Sequence, residues 1–151
     1  MTPEVRKWIQ AWHRLQQDGG SCVAACRAIV DARSGGEGNE EPGYPALGGE
    51  CLDPLFAENV DLIVARVRHG ASAIVTVNAP FWMELARLKK MRSHYGDLGE
   101  GLHAIVIVAV DGGGKMLVAL DPYFPSQFQP VSVSRDDFAT VWSGEVEFVD
   151  S

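Results

Sequence analysis

The sequence has little that would place it in a membrane, on a nucleic acid or within a disulfide framework. Its longest apolar run, residues 104–110, is far short of the roughly 20 residues a spanning helix needs. The start, Met1-Thr2-Pro3-Glu4-Val5-Arg6-Lys7-Trp8, holds no apolar stretch of signal-peptide length. The expectation is a soluble cytoplasmic protein, with secretion by a route that reads no N-terminal signal left open. Basic residues are scarce, 13 against 20 acidic, for a net charge of −7. That balance lacks the basic footprint that neutralises phosphates, so no nucleic-acid partner is expected. Cysteine is scarce and odd in number: Cys22, Cys26 and Cys51. A disulfide framework in a small domain calls for an even count, which favours reduced thiols. Cys22-x3-Cys26 is not a zinc knuckle, and no second ligand pair follows at finger spacing. No metal or cofactor is called for.

What is present is enough for one folded domain, residues 1–151, with 46% hydrophobic residues to build a core. Val5, Trp8, Ile9, Trp12 and Leu15 recur at helical spacing and predict a helix over 3–17, the tryptophans serving as core or docking contacts. Asp18-Gly19-Gly20-Ser21 breaks it. A second helix is expected over 22–33 with Ala25, Cys26, Ile29 and Val30 buried. Residues 34–50 read as a Gly/Pro/Glu loop. A third helix is expected between Pro54 and His69, stopped by Gly70, and then a buried strand over 73–77. Residues 81–91 are ambiguous between helix and loop, and 93–101 are polar and glycine-rich. Strands are expected at 104–110 and 116–120 around a glycine turn, then at 129–133. A short helix over 136–142 and an edge strand over 145–149 close the chain. Helices followed by mostly antiparallel strands make the fold class α+β.

The chemistry starts at Cys22. A thiol is a nucleophile as its thiolate, which a helix N-terminus favours through its unpaired N–H groups and dipole. Cys22 opens the second helix after a glycine loop, with Ser21 as the expected N-cap. Cys26, one turn on, should be inert core, and Cys51 has no comparable context. A base is needed, and the histidines are His13, His69, His94 and His103. His13 and His69 read as surface residues and His94 lies in a loop. His103 follows Gly99-Glu100-Gly101 and opens a buried strand, at the edge of the core. If the hairpin loop is residues 111–113, Val110 pairs with Gly114, and the same register sets His103 opposite Asp121 within about 5.5 Å between α-carbons. A carboxylate there would orient the imidazole. Gln16, six residues before Cys22, can supply an amide N–H to an oxyanion, with Gln17 as its competitor for that role.

Gln16-x5-Cys22-Val23-Ala24-Ala25, then His103, then Asp121-Pro122, resembles the papain-like cysteine peptidase superfamily. Within it, the chain resembles the bacteriocin-processing peptidase domains that cut after a double-glycine leader. The helix within 55–68 leading into strand 73–77 is similar to that family, as is the tail from Val133 through Trp142-Ser143-Gly144. Over about residues 13–150, the resemblance implies a papain-like fold with N-terminal helices on a mostly antiparallel sheet. The implied catalytic set is Cys22, His103, Asp121 and Gln16, acting on a peptide or protein substrate. Ser21-Cys22-Val23 stands where the family usually has Asp-Cys-Gly, so Val23 fills room that a glycine would leave. The same residues on related folds serve deamidases, transferases and effector proteases, and a peptide-binding domain without catalysis is the remaining alternative. Phe81, Trp82 and Tyr95 are candidate substrate contacts, and residues 34–50 and 80–101 are expected to border the cleft.

Overall fold

In a computed structural model of the chain, residues 1–41, 46–85, 88, 89, 91 and 99–150 are described. The elements, in chain order, are α1 (Pro3–Trp12), α2 (Cys22–Arg33), β1 (Glu50–Cys51), α3 (Ala57–Arg68), β2 (Ser72–Asn78), α4 (Ala79–Glu84), β3 (Leu102–Asp111), β4 (Met116–Leu120), β5 (Val131–Ser134), α5 (Arg135–Val141) and β6 (Trp142–Val149). The six strands form one sheet in the order β1-β6-β2-β3-β4-β5. Every pairing in it is antiparallel. The α+β class follows directly.

Side chains alternate across a strand, so one apolar run can serve two cores. In β3, Ala104, Val106 and Val108 face one way, with Ile74 of β2 and Val118 and Leu120 of β4. They pack on Ile9 of α1 and Cys26, Ile29 and Val30 of α2. Ile105 and Ile107 face the other way, with Val75, Val77, Leu117 and Ala119. They meet Ile63 and Val67 of α3, Trp82 of α4 and Phe138 of α5. Burying each aliphatic side chain of this kind contributes about 1.5–3 kcal/mol. Helices on both faces explain why β3 reads as an unbroken apolar run. Among the described residues, no helix is long and apolar enough to cross a membrane.

Helix α2 has the expected bounds, and Ala25, Cys26 and Ile29 are wholly buried. Gly35, at φ 93°, follows its C-cap Ser34 in the left-handed conformation that ends many helices. Three expectations are corrected. Helix α1 stops at Trp12, because His13 turns to extended backbone (φ −64°, ψ 140°) and its ring is drawn into the core. Trp8 and Leu15, at 58% and 51% exposure, therefore lie outside the packed face, where Ile9 is buried and Val5 and Trp12 pack partially. The last strand is not at the sheet edge: β1 rises from the end of the glycine-rich loop and pairs Glu50 with Val146 and Cys51 with Glu145.

That close approach depends on Gly144. Its φ is 101°, its carbonyl accepts a hydrogen bond from the Leu52 N–H at 2.8 Å, and an added Cβ would lie 2.1 Å from the Leu52 carbonyl oxygen. Gly144→Ala is expected to cost more than about 1 kcal/mol in urea denaturation and to release residues 50–52 to faster hydrogen exchange. Unchanged exchange there would contradict this role for the glycine.

Candidate active site

Helix α2, strand β3 and the end of β4 bring Cys22, His103 and Asp121 together. Cys22 is the first residue of α2 and is half-buried. The Ser21 hydroxyl does not cap the helix as the sequence suggests. It bonds instead within the preceding turn, accepting from Asp18 N–H at 3.2 Å and donating to the Asp18 carbonyl at 3.1 Å. The first-turn N–H groups of α2 are thereby left available to an anion. The Val23 N–H and the Ala104 N–H of β3 lie near the Cys22 sulfur and favour its thiolate.

His103 enters from β3, only 4% exposed. Its Nε2 donates to Asp121 Oδ1 at 2.7 Å, and its ring is close enough to the Cys22 thiol for the two to influence each other's ionisation; Nδ1 is the nitrogen that the Asp121 bond leaves free. Asp121, just beyond β4, has no solvent exposure. Its Oδ1 also accepts from the Tyr123 N–H at 2.9 Å, and its Oδ2 accepts from Trp82 Nε1 at 2.9 Å. The Tyr123 ring meets the imidazole edge-on, with centroids 6.4 Å apart.

The register that makes this pair differs from the expected one. Asp111 pairs with Met116, so the turn is the four residues 112–115, and β3 carries an extra residue, Val108, between Ile107 and Ala109. Beyond that bulge Val106 stands opposite Leu120, and continuing the ladder places His103 opposite Tyr123. His103 and Asp121 are diagonal neighbours rather than directly opposed. The turn and the bulge have compensating effects: the four-residue turn alone would place the two side chains on opposite faces of the sheet, and the inserted residue returns them to one.

These surroundings set the charges. Burial disfavours the His103 imidazolium, but the Asp121 charge and hydrogen bond, followed by the Cys22 contact, outweigh it and raise its pKa to about 9. Burial likewise opposes the Cys22 thiolate and is outweighed by His103 and the two backbone N–H groups, which bring that pKa below the ordinary thiol value. Asp121 is also held below its usual range: burial is outweighed by the His103 charge and by the bonds from His103, Trp82 and Tyr123. The arrangement favours a thiolate–imidazolium pair. Cys26, fully buried, has its pKa pushed well up by desolvation, as core thiols do.

Gln16 is half-buried, whereas Gln17 is exposed and its main-chain N–H bonds the Glu40 carboxylate at 2.8 Å. The Gln16 amide nitrogen donates one proton to the Asp18 carbonyl at 2.8 Å, and its Oε1 is buried without a partner. The second amide proton is not engaged by that bond. Of the other histidines, His69 is on the surface as expected, bonded to the Ala65 carbonyl, but His13 is not: it is 3% exposed and bonds the Asp121 main chain. No helical period could show this, because His13 lies just past the end of α1. Trp82 is a buried partner of Asp121 rather than a substrate contact, while Phe81 beside it is 59% exposed. His94 and Tyr95 lie outside the described residues. The loop after α2 borders this region through Glu40 and through the Gly38 carbonyl, which accepts from Arg14. Among the described residues, no cluster of three or more His, Cys, Asp and Glu could hold a metal ion.

Comparison of the chain with protein-family models, with curated proteins and with solved structures gave no match.

Trp82→Phe removes the donor to Asp121 Oδ2 and leaves that oxygen unpaired in the core. The expected loss of stability in urea denaturation is about 2–4 kcal/mol. A loss under about 0.5 kcal/mol would show that the indole bond is dispensable.

Proposed function

We propose that the chain is a papain-like cysteine peptidase acting on a peptide or protein, of the kind that processes leader peptides. The observation that carries this reading is His103 held between the Asp121 carboxylate and a Cys22 thiol at the start of a helix.

In this reading the Cys22 thiolate attacks the substrate carbonyl carbon, forming a C–S bond while the carbonyl electron pair moves to oxygen. The remaining Gln16 amide proton and a first-turn N–H of α2 stabilise that oxyanion. As the tetrahedral intermediate collapses, the C–N bond breaks and the His103 imidazolium protonates the departing amine. A water molecule, deprotonated by His103, then hydrolyses the thioester and returns Cys22 to the thiolate. Asp121 keeps its charge throughout and holds the ring in the tautomer that leaves Nδ1 facing sulfur.

The pH dependence follows from the two shifts. As pH falls through the lowered Cys22 pKa, the thiolate gains a proton and attack stops. As pH rises through about 9, His103 loses the proton it gives to the leaving amine, so turnover declines while the thiolate itself persists.

Iodoacetamide at pH near 6 tests the site without a substrate. Fast labelling confined to Cys22 is expected, slowed at least about tenfold in His103→Ala. Equal, slow labelling of Cys22 and the exposed Cys51 would refute the proposal. Mass spectrometry of peptides incubated with the enzyme then separates backbone cleavage from a mass change on an intact chain, which would instead mark a deamidase or transferase.

A further inference from the structure

Helix α1 and the segment leaving it make four hydrogen bonds with the loop that carries Asp121. Gln10 Nε2 donates to the Ser126 carbonyl at 2.7 Å, His13 bonds both Asp121 and Ser126, and the Gln16 N–H donates to the Pro122 carbonyl at 2.7 Å. His13 is the centre of this clamp. Its Nε2 lies 2.8 Å from the Asp121 carbonyl oxygen and its Nδ1 2.8 Å from Ser126 Oγ.

A carbonyl only accepts, so Nε2 carries the proton and Nδ1 accepts from the Ser126 hydroxyl. Both ring nitrogens are used by the neutral tautomer. Burial favours that form by lowering the His13 pKa. The bond and charge of Asp121 act against it, and Arg14, the other charged neighbour, adds to the lowering. From the opposite side, the Asp121 N–H donates to Gln129 Oε1 at 2.9 Å, and Gln129 is itself buried and bonded to the Phe124 carbonyl. The main chain of Asp121 is thus gripped at both its N–H and its carbonyl.

We propose that His13 is a positioning residue for the acid of the triad, fixing the Asp121 main chain so that its carboxylate meets His103, while the same segment carries the oxyanion donor Gln16. This rests on the peptidase reading above. The hydrogen bonds of the His13 ring go to Asp121 and Ser126, so its influence on Cys22 and His103 runs through Asp121. A bond of 2.7 Å tolerates little displacement: moving the carboxylate by about 1 Å weakens it steeply. The consequence at the far end of the relay is a less stable imidazolium and hence a less stable thiolate.

The test uses the full chain and the pH profile of Cys22 alkylation by iodoacetamide. His13→Phe keeps the ring but removes the donor, and the low-pH limb is expected to move up by about one pH unit. His13→Gln, whose amide N–H reaches the Asp121 carbonyl, is expected to restore the wild-type limb. A role in stability alone would lower the melting temperature of His13→Phe without moving the limb, and that result overturns the proposal. Should His13→Phe fail to unfold cooperatively, Ser126→Ala replaces it: position 126 is exposed, and loss of its hydroxyl frees the ring. A smaller upward shift is expected there, and an unmoved limb is again contrary. Wild type without selective Cys22 labelling overturns the peptidase reading and the clamp together. Selective wild type with an unmoved variant limb overturns the clamp alone.

Discussion

A carboxylate with no solvent exposure governs this structure. An isolated charge in a protein interior costs several kcal/mol, and Asp121 offsets that cost by engaging every polar group it has. Its two carboxylate oxygens take bonds from His103, Tyr123 and Trp82, its N–H bonds Gln129, and its carbonyl bonds His13. Those partners come from β3, α4, the segment after α1 and the loop that follows β4. The charge must have a cation nearby, and His103 is the group that can supply one. An imidazolium held in that way lowers the cost of a thiolate on its other side, so the ionisation of Cys22 derives from the burial of Asp121 two steps away.

The sheet supplies the geometry. Antiparallel pairing puts the end of β4 beside the start of β3, and the bulge at Val108 brings the acid and the imidazole to one face. Helix α2 packs on the other face through Cys26 and Ile29, so its first residue reaches the strand end at Ala104. The thiol then sits where strand, helix N-terminus and imidazole converge. The two cores are what hold these elements in place. A site assembled from the ends of several rigid elements is better ordered than one built on loops.

Much of this was legible in the sequence, and the limits have physical causes. Asp121 was reached through an assumed hairpin register, whereas the bounds of α2, the buried core position of Cys26 and the place of His103 at the opening of a strand followed from periodicity and from where apolar runs begin and end. The register did not. The four-residue turn and the added residue in β3 are two errors whose effects largely cancel, so the expected pair forms by a diagonal rather than a direct contact. His13 and Trp82 were misread because hydrophobic pattern reports which face is apolar, not which polar atom a distant backbone group requires. The two-residue β1 has no signature of its own and exists because Gly144 allows its approach.

The central claim is that His103 is an imidazolium stabilised by Asp121 and paired with the Cys22 thiolate. Proton NMR titration of the His103 ring measures this most directly. The expected midpoint is about 9, falling once Cys22 is alkylated and its charge removed. A midpoint near 6.5, the usual value for histidine, unmoved by alkylation, would contradict the account.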